Sequence, residues 1–422
     1  MQLMGEKIRK RRKELGLTLK EVAGDFVTVA QLSSIENGKS KPSKKLLEFL
    51  AKQLGVNIEY FIISEHDAAH IKFNDILLKS KAYYNDAKYE EALNYFNSAR
   101  PIFNILSNLD KGIYYTFIGD CLYSMGEYEQ SFENFNKALV YYLRTVEYNL
   151  IADINIKIGN SLYMAKNYEI ALGYYLNALS YIDKLSDLSI TARIFYDLSL
   201  CYFTLDRFGL SREYLEKCIE YIKMNDLETK SNLLPYINMM IGLINLKLDN
   251  VKESLEEFNQ AFEKYKLQND IVGMARAKNN IGICLRELGQ SDKAIECFKE
   301  ALEYKVISND EDILEPVRNL IEIYSNDVLY DNIIDILNNA ESIFIKRNDY
   351  EGLINIYLLK MDFFIKHNDF DKSEIYGFLA LDNALRKNNK QMLEKVYLNL
   401  SKLYRKIGNE SMTIEYMLKA KD

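Results

Sequence analysis

From about residue 73 onward one pattern keeps returning at intervals near forty residues. Its clearest copy, IGICLRELGQSDKAIECFKEAL, contains Gly282, Leu285, Gly289, Ala294, Phe298 and Ala301. Two upstream copies, IGDCLYSMGEYEQSFENFNKAL and IGNSLYMAKNYEIALGYYLNAL, place Gly119, Phe135 and Ala138, and Gly159, Tyr175 and Ala178, in the same phase. A turn residue marks each copy: Ala87, Gly126, Lys166, Asp206, Asp249, Gly289, Val328, Asn368 and Gly408, with steps of 39, 40, 40, 43, 40, 39, 40 and 40 residues. With that marker numbered 15 within each copy, small residues recur at internal positions 8, 20 and 27, and aromatics at 17 and 24. Each copy therefore reads as two antiparallel helices brought close by the small residues, with the aromatics filling the gap to the next pair. The eighth copy, where DNALRKN follows Phe378, suggests an inserted residue. One such hairpin cannot bury its apolar face alone, so the copies must stack into a superhelix with a concave groove. Only four prolines and eighteen glycines interrupt 422 residues, which favours helix throughout. The fold class expected is all-α.

Charge is unevenly placed along the chain. Residues 1–60 carry twelve Lys or Arg against seven Asp or Glu, and the remainder carries 42 against 54. A basic head on an acidic body points to a polyanion partner for the head alone. Three of the five cysteines, Cys121, Cys201 and Cys284, share internal position 10 and none has CxxC spacing, which reads as buried thiols in a reducing compartment. No run of eighteen apolar residues and no leader-like apolar segment is visible, so a soluble, cytoplasmic protein without membrane contact is expected. No phosphate loop, nucleophile–base pair or metal cluster can be assembled. His66 and His70 are four apart but lack a third ligand, and read as junction residues. No enzymatic activity and no cofactor are expected.

In the head, Ile8, Leu15 and Leu17 supply an apolar face to a first helix. Thr18 and Glu21 form a capping box for a short second helix containing Val22 and Ala23. Thr28 caps a third, with Val29, Leu32 and Ile35 inward, and Ser43 opens a fourth packed through Leu46, Leu47, Leu50, Ala51 and Leu54. The sequence around LTLKEVA, LSSIENG and KPS resembles the DNA-binding domain of phage repressors, the XRE-type helix-turn-helix. That resemblance implies a third helix in the major groove, with Thr28, Ala30, Gln31, Ser33 and Ser34 facing bases. Gln31 would pair bidentately with adenine, while Arg9, Arg12, Lys39, Lys41 and Lys44 would hold phosphates. Leu19 stands where the family often has Gln, which implies weaker or shifted contacts there. One such head reads few base pairs, so a dimer on a two-fold DNA operator is implied.

The repeats resemble tetratricopeptide (TPR) repeats with lengthened helices. That likeness implies a right-handed superhelical solenoid of about nine hairpins whose first helices line the groove through internal positions 2, 5, 6, 9, 12 and 13. Those positions hold Lys157 and Asn160, Arg193 and Asp197, Arg276, Asn279 and Asn280, and Arg318, Asn319 and Glu322; the last copy adds Asn399 and Lys402. An Asn amide donates and accepts at once and so grips an extended backbone, and an Arg fork suits a carboxylate. These are the expected peptide-binding residues. Residues 1–62 are expected to form the DNA-binding domain, 63–72 a linker and 73–422 the repeat domain for peptide binding and oligomerisation.

The whole arrangement resembles the RNPP-type peptide-sensing regulators (the PlcR, PrgX, Rgg and NprR group), nearest NprR in length and repeat number. The resemblance implies a quorum-sensing transcriptional regulator, a homodimer or higher homo-oligomer switched by a short signalling peptide in the groove. Two alternatives stay open. One is a Rap-like protein that sequesters a response regulator, without phosphatase activity, since residues 66–105 contain no glutamine. The other is a ligand-independent dimeric repressor.

Overall fold

A computed structural model describes residues 2–227, 232–309, 313–326 and 330–421, all of them helix or connecting turn, with no strand among them. The expected all-α class holds. By compactness the chain divides into two units, Met1–Leu205 and Asp206–Asp422.

The first unit opens with five short helices: α1 (Gln2–Glu14), α2 (Leu19–Ala23), α3 (Val29–Glu36), α4 (Lys44–Gln53) and α5 (Glu59–Ile62). Local chemistry sets their starts. Thr18 and Glu21 form the capping box, Thr28 Oγ1 accepts from the Gln31 N–H, and Ser43 Oγ accepts from the Leu46 N–H. Ile8, Val22, Leu32, Ile35, Leu50, Leu54 and Phe61 make the buried core. Two expectations for that core fail. Leu15 and Val29 are each 43% exposed: Leu15 lies just past the end of α1, and Val29 is the first residue of α3, whose inward side is Leu32 and Ile35. Three hairpins follow: Glu65–Asn85 with Tyr89–Phe96, Asn108–Ser124 with Tyr128–Tyr142, and Tyr148–Met164 with Tyr168–Leu179, then the helix Leu188–Thr204.

The second unit starts with helix Phe208–Met224 and continues through five hairpins. They are Leu234–Lys247 with Val251–Gln268, Ile271–Glu287 with Ser291–Ile307, Leu314–Asn326 with Tyr330–Arg347, Tyr350–Lys366 with Phe370–Lys387, and Lys390–Ile407 with Glu410–Lys419.

Every turn marker among the described residues has left-handed backbone, from φ +55° at Asp206 to +82° at Gly126 and Gly408; Val328 lies outside the described residues. The left-handed residue ends one helix and reverses the chain within two residues. The hairpin then closes on a ring-to-backbone contact. At internal position 8 a glycine meets the aromatic at position 24, and a β-carbon added there would stand 2.4 Å from Phe135 at Gly119, 2.5 Å from Tyr175 at Gly159, 2.5 Å from Phe258 at Gly242 and 2.6 Å from Phe298 at Gly282. The position-24 rings therefore fill their own hairpin and not the gap to the next one. Position 17 also works locally: Tyr128 and Tyr168 meet Tyr123 and Tyr163 edge-on across the turn, with centroids 5.5 and 5.1 Å apart. Where position 20 is Ser, its hydroxyl donates to the position-8 carbonyl, as Ser131 does to Gly119 and Ser254 to Gly242.

In the eighth hairpin the sizes are exchanged: Met361 holds position 8 and Gly377 position 24, with Met361 Sδ 3.2 Å from where a Gly377 β-carbon would be. Helix Phe370–Lys387 runs unbroken with Ser373, Gly377, Ala380 and Ala384 buried, so no residue is inserted there. All five cysteines are buried and free, and burial pushes the Cys121 thiol up to about 12. No described helix is long and apolar enough to cross a membrane.

The contact predicts its own disruption. Gly282→Ala overpacks the hairpin against Phe298 and should lower stability by about 1–3 kcal/mol, while Gly282→Ala with Phe298→Leu should recover part of it. Denaturant unfolding of the three proteins checks this.

Candidate DNA-binding surface and repeat groove

The first turn of α3 is open to solvent. Thr28, Ala30 and Gln31 are exposed, whereas Ser33 and Ser34 are half-buried. Arg9, Lys39, Lys41 and Lys44 are exposed and form no ion pair with described residues. Gly5 lets α1 approach the end of α3, since a β-carbon there would lie 2.2 Å from the Ile35 carbonyl oxygen. Lys7 anchors the other side of α1, donating to the carbonyls of Tyr60 and Ile63.

Arg12 is placed differently from the expectation. Its Nε lies 2.6 Å from Glu36 Oε1 and its Nη2 2.8 Å from Oε2, while Nη1 donates to the Leu17 carbonyl at 2.9 Å. The Arg12 side chain is 12% exposed and that of Glu36 only 4%. The hydrogen bonds from Glu36 raise the Arg12 pKa above its ordinary value. Arg12 is thus a clamp between α1 and the end of α3, with three of its five N–H donors engaged and its side chain largely buried, and not a free phosphate ligand. A sequence signal for it exists: Glu36 follows Ile35 on the inward side of α3, and a buried carboxylate requires a partner.

At the start of the repeats, His66 Nδ1 lies 2.7 Å from the Ile105 carbonyl and His70 Nδ1 3.0 Å from the buried Asp110 carboxylate. His70 joins the first hairpin to the second, and His66 ties the first helix to the 3-10 segment Asn97–Ile105 that precedes the second hairpin. Among the described residues no three metal-ligating side chains converge.

Within the first unit the groove positions bond to one another across successive first helices. Lys157 Nζ lies 2.6 Å from Asp120 and 5.7 Å from the centre of the Phe135 ring. Arg193 reaches Asp153 at 3.3 Å and Asp197 at 3.6 Å. With its amide oxygen toward Arg193, Asn160 accepts from Nη2 at 3.1 Å and contacts the Tyr175 hydroxyl at 2.7 Å. Asp197 is buried, and its Oδ2 has no hydrogen-bond partner. Burial therefore pushes its pKa from 3.8 up to about 7, against the pull of Arg193.

In the second unit the two adjacent asparagines separate. Asn279 is buried, donating to Glu315 at 2.8 Å and accepting from Asn319 at 2.9 Å. Both ends of its amide serve the seam between repeats, so Asn279 is not a ligand contact in this state. Asn280, one residue on and about 100° round the helix, is half-buried and forms no side-chain hydrogen bond with described residues. Glu322 is exposed and paired with Arg286 at 2.6 Å. Arg276 and Arg318 are exposed and unpaired among the described residues. Arg318 opens onto a cleft of about 380 Å³ that also takes in Asn355, Asp362, Lys395, Asn399 and Lys402, walled by Leu358, Leu359 and Leu398. Lys395 was not among the groove residues singled out for a ligand, although it stands at an expected internal position, 2.

Known protein families match in the same order as these structures. A helix-turn-helix model covers residues 8–61, and tetratricopeptide repeat models cover 113–139, 150–223 and 235–305. The apo form of the quorum sensor NprR from B. thuringiensis superposes with a TM-score of 0.54 at 13% identity, over 90% of this chain and 99% of that one. The architecture closely resembles that of the RNPP regulators. Apo RapI, another solved structure, superposes with a TM-score of 0.54 at 16% identity, over 82% of this chain and 96% of that one. The transcriptional activator NprA of Geobacillus stearothermophilus is 21% identical over 328 residues, or 78% of this chain and 68% of NprA. At these identities the RNPP-like likeness establishes the fold.

Two measurements follow from the ionic contacts. Arg12→Ala leaves Glu36 buried without a partner and should destabilise the chain by about 3 kcal/mol; Arg9→Ala should leave stability unchanged, both read by denaturant unfolding. Asp197 has a folded pKa above its unfolded one. Its contribution is fully present near pH 4 and lost as pH rises through about 7. Asp197→Asn should therefore gain thermal stability relative to the parent between pH 4 and 7, with a constant difference above that range.

Proposed function

We propose that this chain is a DNA-binding transcriptional regulator that a short signalling peptide switches. Residues 1–62 would hold an operator as a homodimer or higher oligomer, and residues 73–422 would hold the peptide. The observation that carries this reading is a pair of open surfaces in one chain. The first turn of α3 presents Thr28, Ala30 and Gln31 in a head with four exposed cations, and the repeat positions present Asn280, Arg276 and Arg318, all of these cations and Asn280 without side-chain partners among the described residues.

The DNA mechanism divides between the two kinds of contact. Arg9, Lys39, Lys41 and Lys44 supply phosphate binding that falls with salt and ignores sequence. Gln31 can donate and accept at the edge of an adenine, and such a pair discriminates bases by about 1–3 kcal/mol. One head covers one half-site, so pairing of heads sets operator affinity. A peptide acts by binding one spacing of the heads more tightly than another; a hundredfold preference corresponds to about 2.7 kcal/mol. Asn280 would clasp the peptide backbone through its free amide. The names of NprA, an activator, and NprR, a quorum sensor, support the same reading.

The test takes the full chain from its own host. Mass by light scattering is measured before and after denaturation and refolding, with mass spectrometry of released small molecules, alongside selection of binding sites from random duplex DNA. A released peptide, a change of oligomer and an enriched two-fold sequence are expected. Gln31→Ala should flatten the enriched sequence while Asn280→Ala removes the peptide response and leaves DNA binding intact. Equal affinity for selected and scrambled DNA, with no peptide released, would overturn the proposal.

A further inference from the structure

We infer that the cleft between the first helices of the last three repeats binds a carboxylate of the ligand. This rests on the peptide reading above and adds to it the chemistry of one end of the site. Arg318 comes from Leu314–Asn326, Asn355 and Asp362 from Tyr350–Lys366, and Lys395, Asn399 and Lys402 from Lys390–Ile407. Three cations thus face one carboxylate. Neither Arg318 nor Lys402 has an ion-pair partner among the described residues, and Lys395 donates only to the Asn355 amide oxygen at 2.6 Å.

The contrast with the first unit gives this imbalance its meaning. There the cations on the first helices are matched, Lys157 by Asp120, and Arg193, at the internal position of Lys395, by Asp153 and Asp197. Here the cations repel instead. Burial first and the nearby Arg318 charge second both lower the Lys395 pKa. Three like charges that share the single Asp362 carboxylate in a concave space leave an excess of positive charge, which raises the energy of the empty site, and an anion entering it removes that repulsion.

A carboxylate suits the cleft better than a phosphate on two grounds. Asp362 stands in the same space and opposes a dianion more than a monoanion. The walls of Leu358, Leu359 and Leu398 leave apolar surface beside the charges, which fits an amino-acid residue carrying its carboxylate. The planar Arg318 fork can hold both oxygens of such a group, with the Lys395 ammonium as a second point of charge.

The experiment uses the full chain and three synthetic pools of acetylated random pentapeptides, captured on the protein and counted by mass spectrometry. One pool has free carboxyl termini and no acidic side chains, one has amidated termini and a single Asp or Glu, and one has amidated termini and no acid. We expect at least tenfold enrichment of a carboxylate-bearing pool over the neutral one. Enrichment of the first alone identifies the terminal carboxylate; enrichment of the second alone identifies a side chain. Arg318→Gln with Lys395→Gln should abolish the enrichment, and Arg318→Lys with Lys395→Arg should retain it, each variant first shown by circular dichroism to melt as the parent does. If the double Gln variant does not, Lys402→Gln, at an exposed position, replaces it. Equal capture of all three pools overturns the carboxylate assignment while peptide binding stands. Capture of none overturns both, and undiminished enrichment in the folded Gln variant overturns the site.

Discussion

A flat ring lying on a bare stretch of helix backbone is the contact on which four of the repeats depend. Phe135, Tyr175, Phe258 and Phe298 each occupy the space that a β-carbon on the facing helix would need. That approach holds the two helices close, and closeness lets the position-20 serines reach carbonyls of the partner helix. The eighth hairpin has Gly377 in place of a ring, and the space beside it is filled by Leu400 of the next hairpin and Met361 of the opposite helix, whose nearest atoms lie 2.6 and 3.2 Å from where its β-carbon would be. What is preserved is the summed volume at the crossing, and not the identity of either residue.

The head depends on a different kind of contact. Its helices are too short to define their angles by apolar packing alone, and the Arg12–Glu36 pair ties the first helix to the end of the third. The chemistry that could have held a phosphate is used internally instead. The cations at 9, 39, 41 and 44, by contrast, stay exposed and form no ion pair with described residues.

How much of this could be read without coordinates depends on how far apart the partners lie in sequence. The capping residues Thr18, Thr28, Ser43 and Ser64 act within three residues of themselves, and all were legible. The hairpins were legible because their partners lie one turn away and recur nine times in the sequence. The direction of the position-24 rings was not: a period shows that a residue is repeated, not which neighbour it faces. Contacts between repeats, 36 to 41 residues apart, were equally hidden. Asn279 and Asn280 look alike in sequence, yet one residue of helical rotation puts the first into a buried seam with Glu315 and Asn319 and leaves the second open. Val29 and Leu15 were misplaced because each stands at a helix end, Val29 opening α3 and Leu15 just beyond α1, where the helical period no longer fixes an inward face.

The division between apolar crossings and polar seams gives the repeats uneven stiffness. Within a hairpin, any change of angle drives a ring into backbone, so the pair moves as one rigid link. Between first helices the fastenings are Lys157–Asp120, Arg193–Asp153, Asn319–Asn279 and Arg286–Glu322, whose donors can exchange partners at little net cost. Each unit is thus a row of hard segments joined by polar hinges, of which Lys157–Asp120, Arg193–Asp153 and Arg286–Glu322 involve partly exposed groups while Asn279 is buried. A molecule lying along several of them would act as a splint: by competing for the hinge groups it would reset the angle at each, and small rotations would sum along the row.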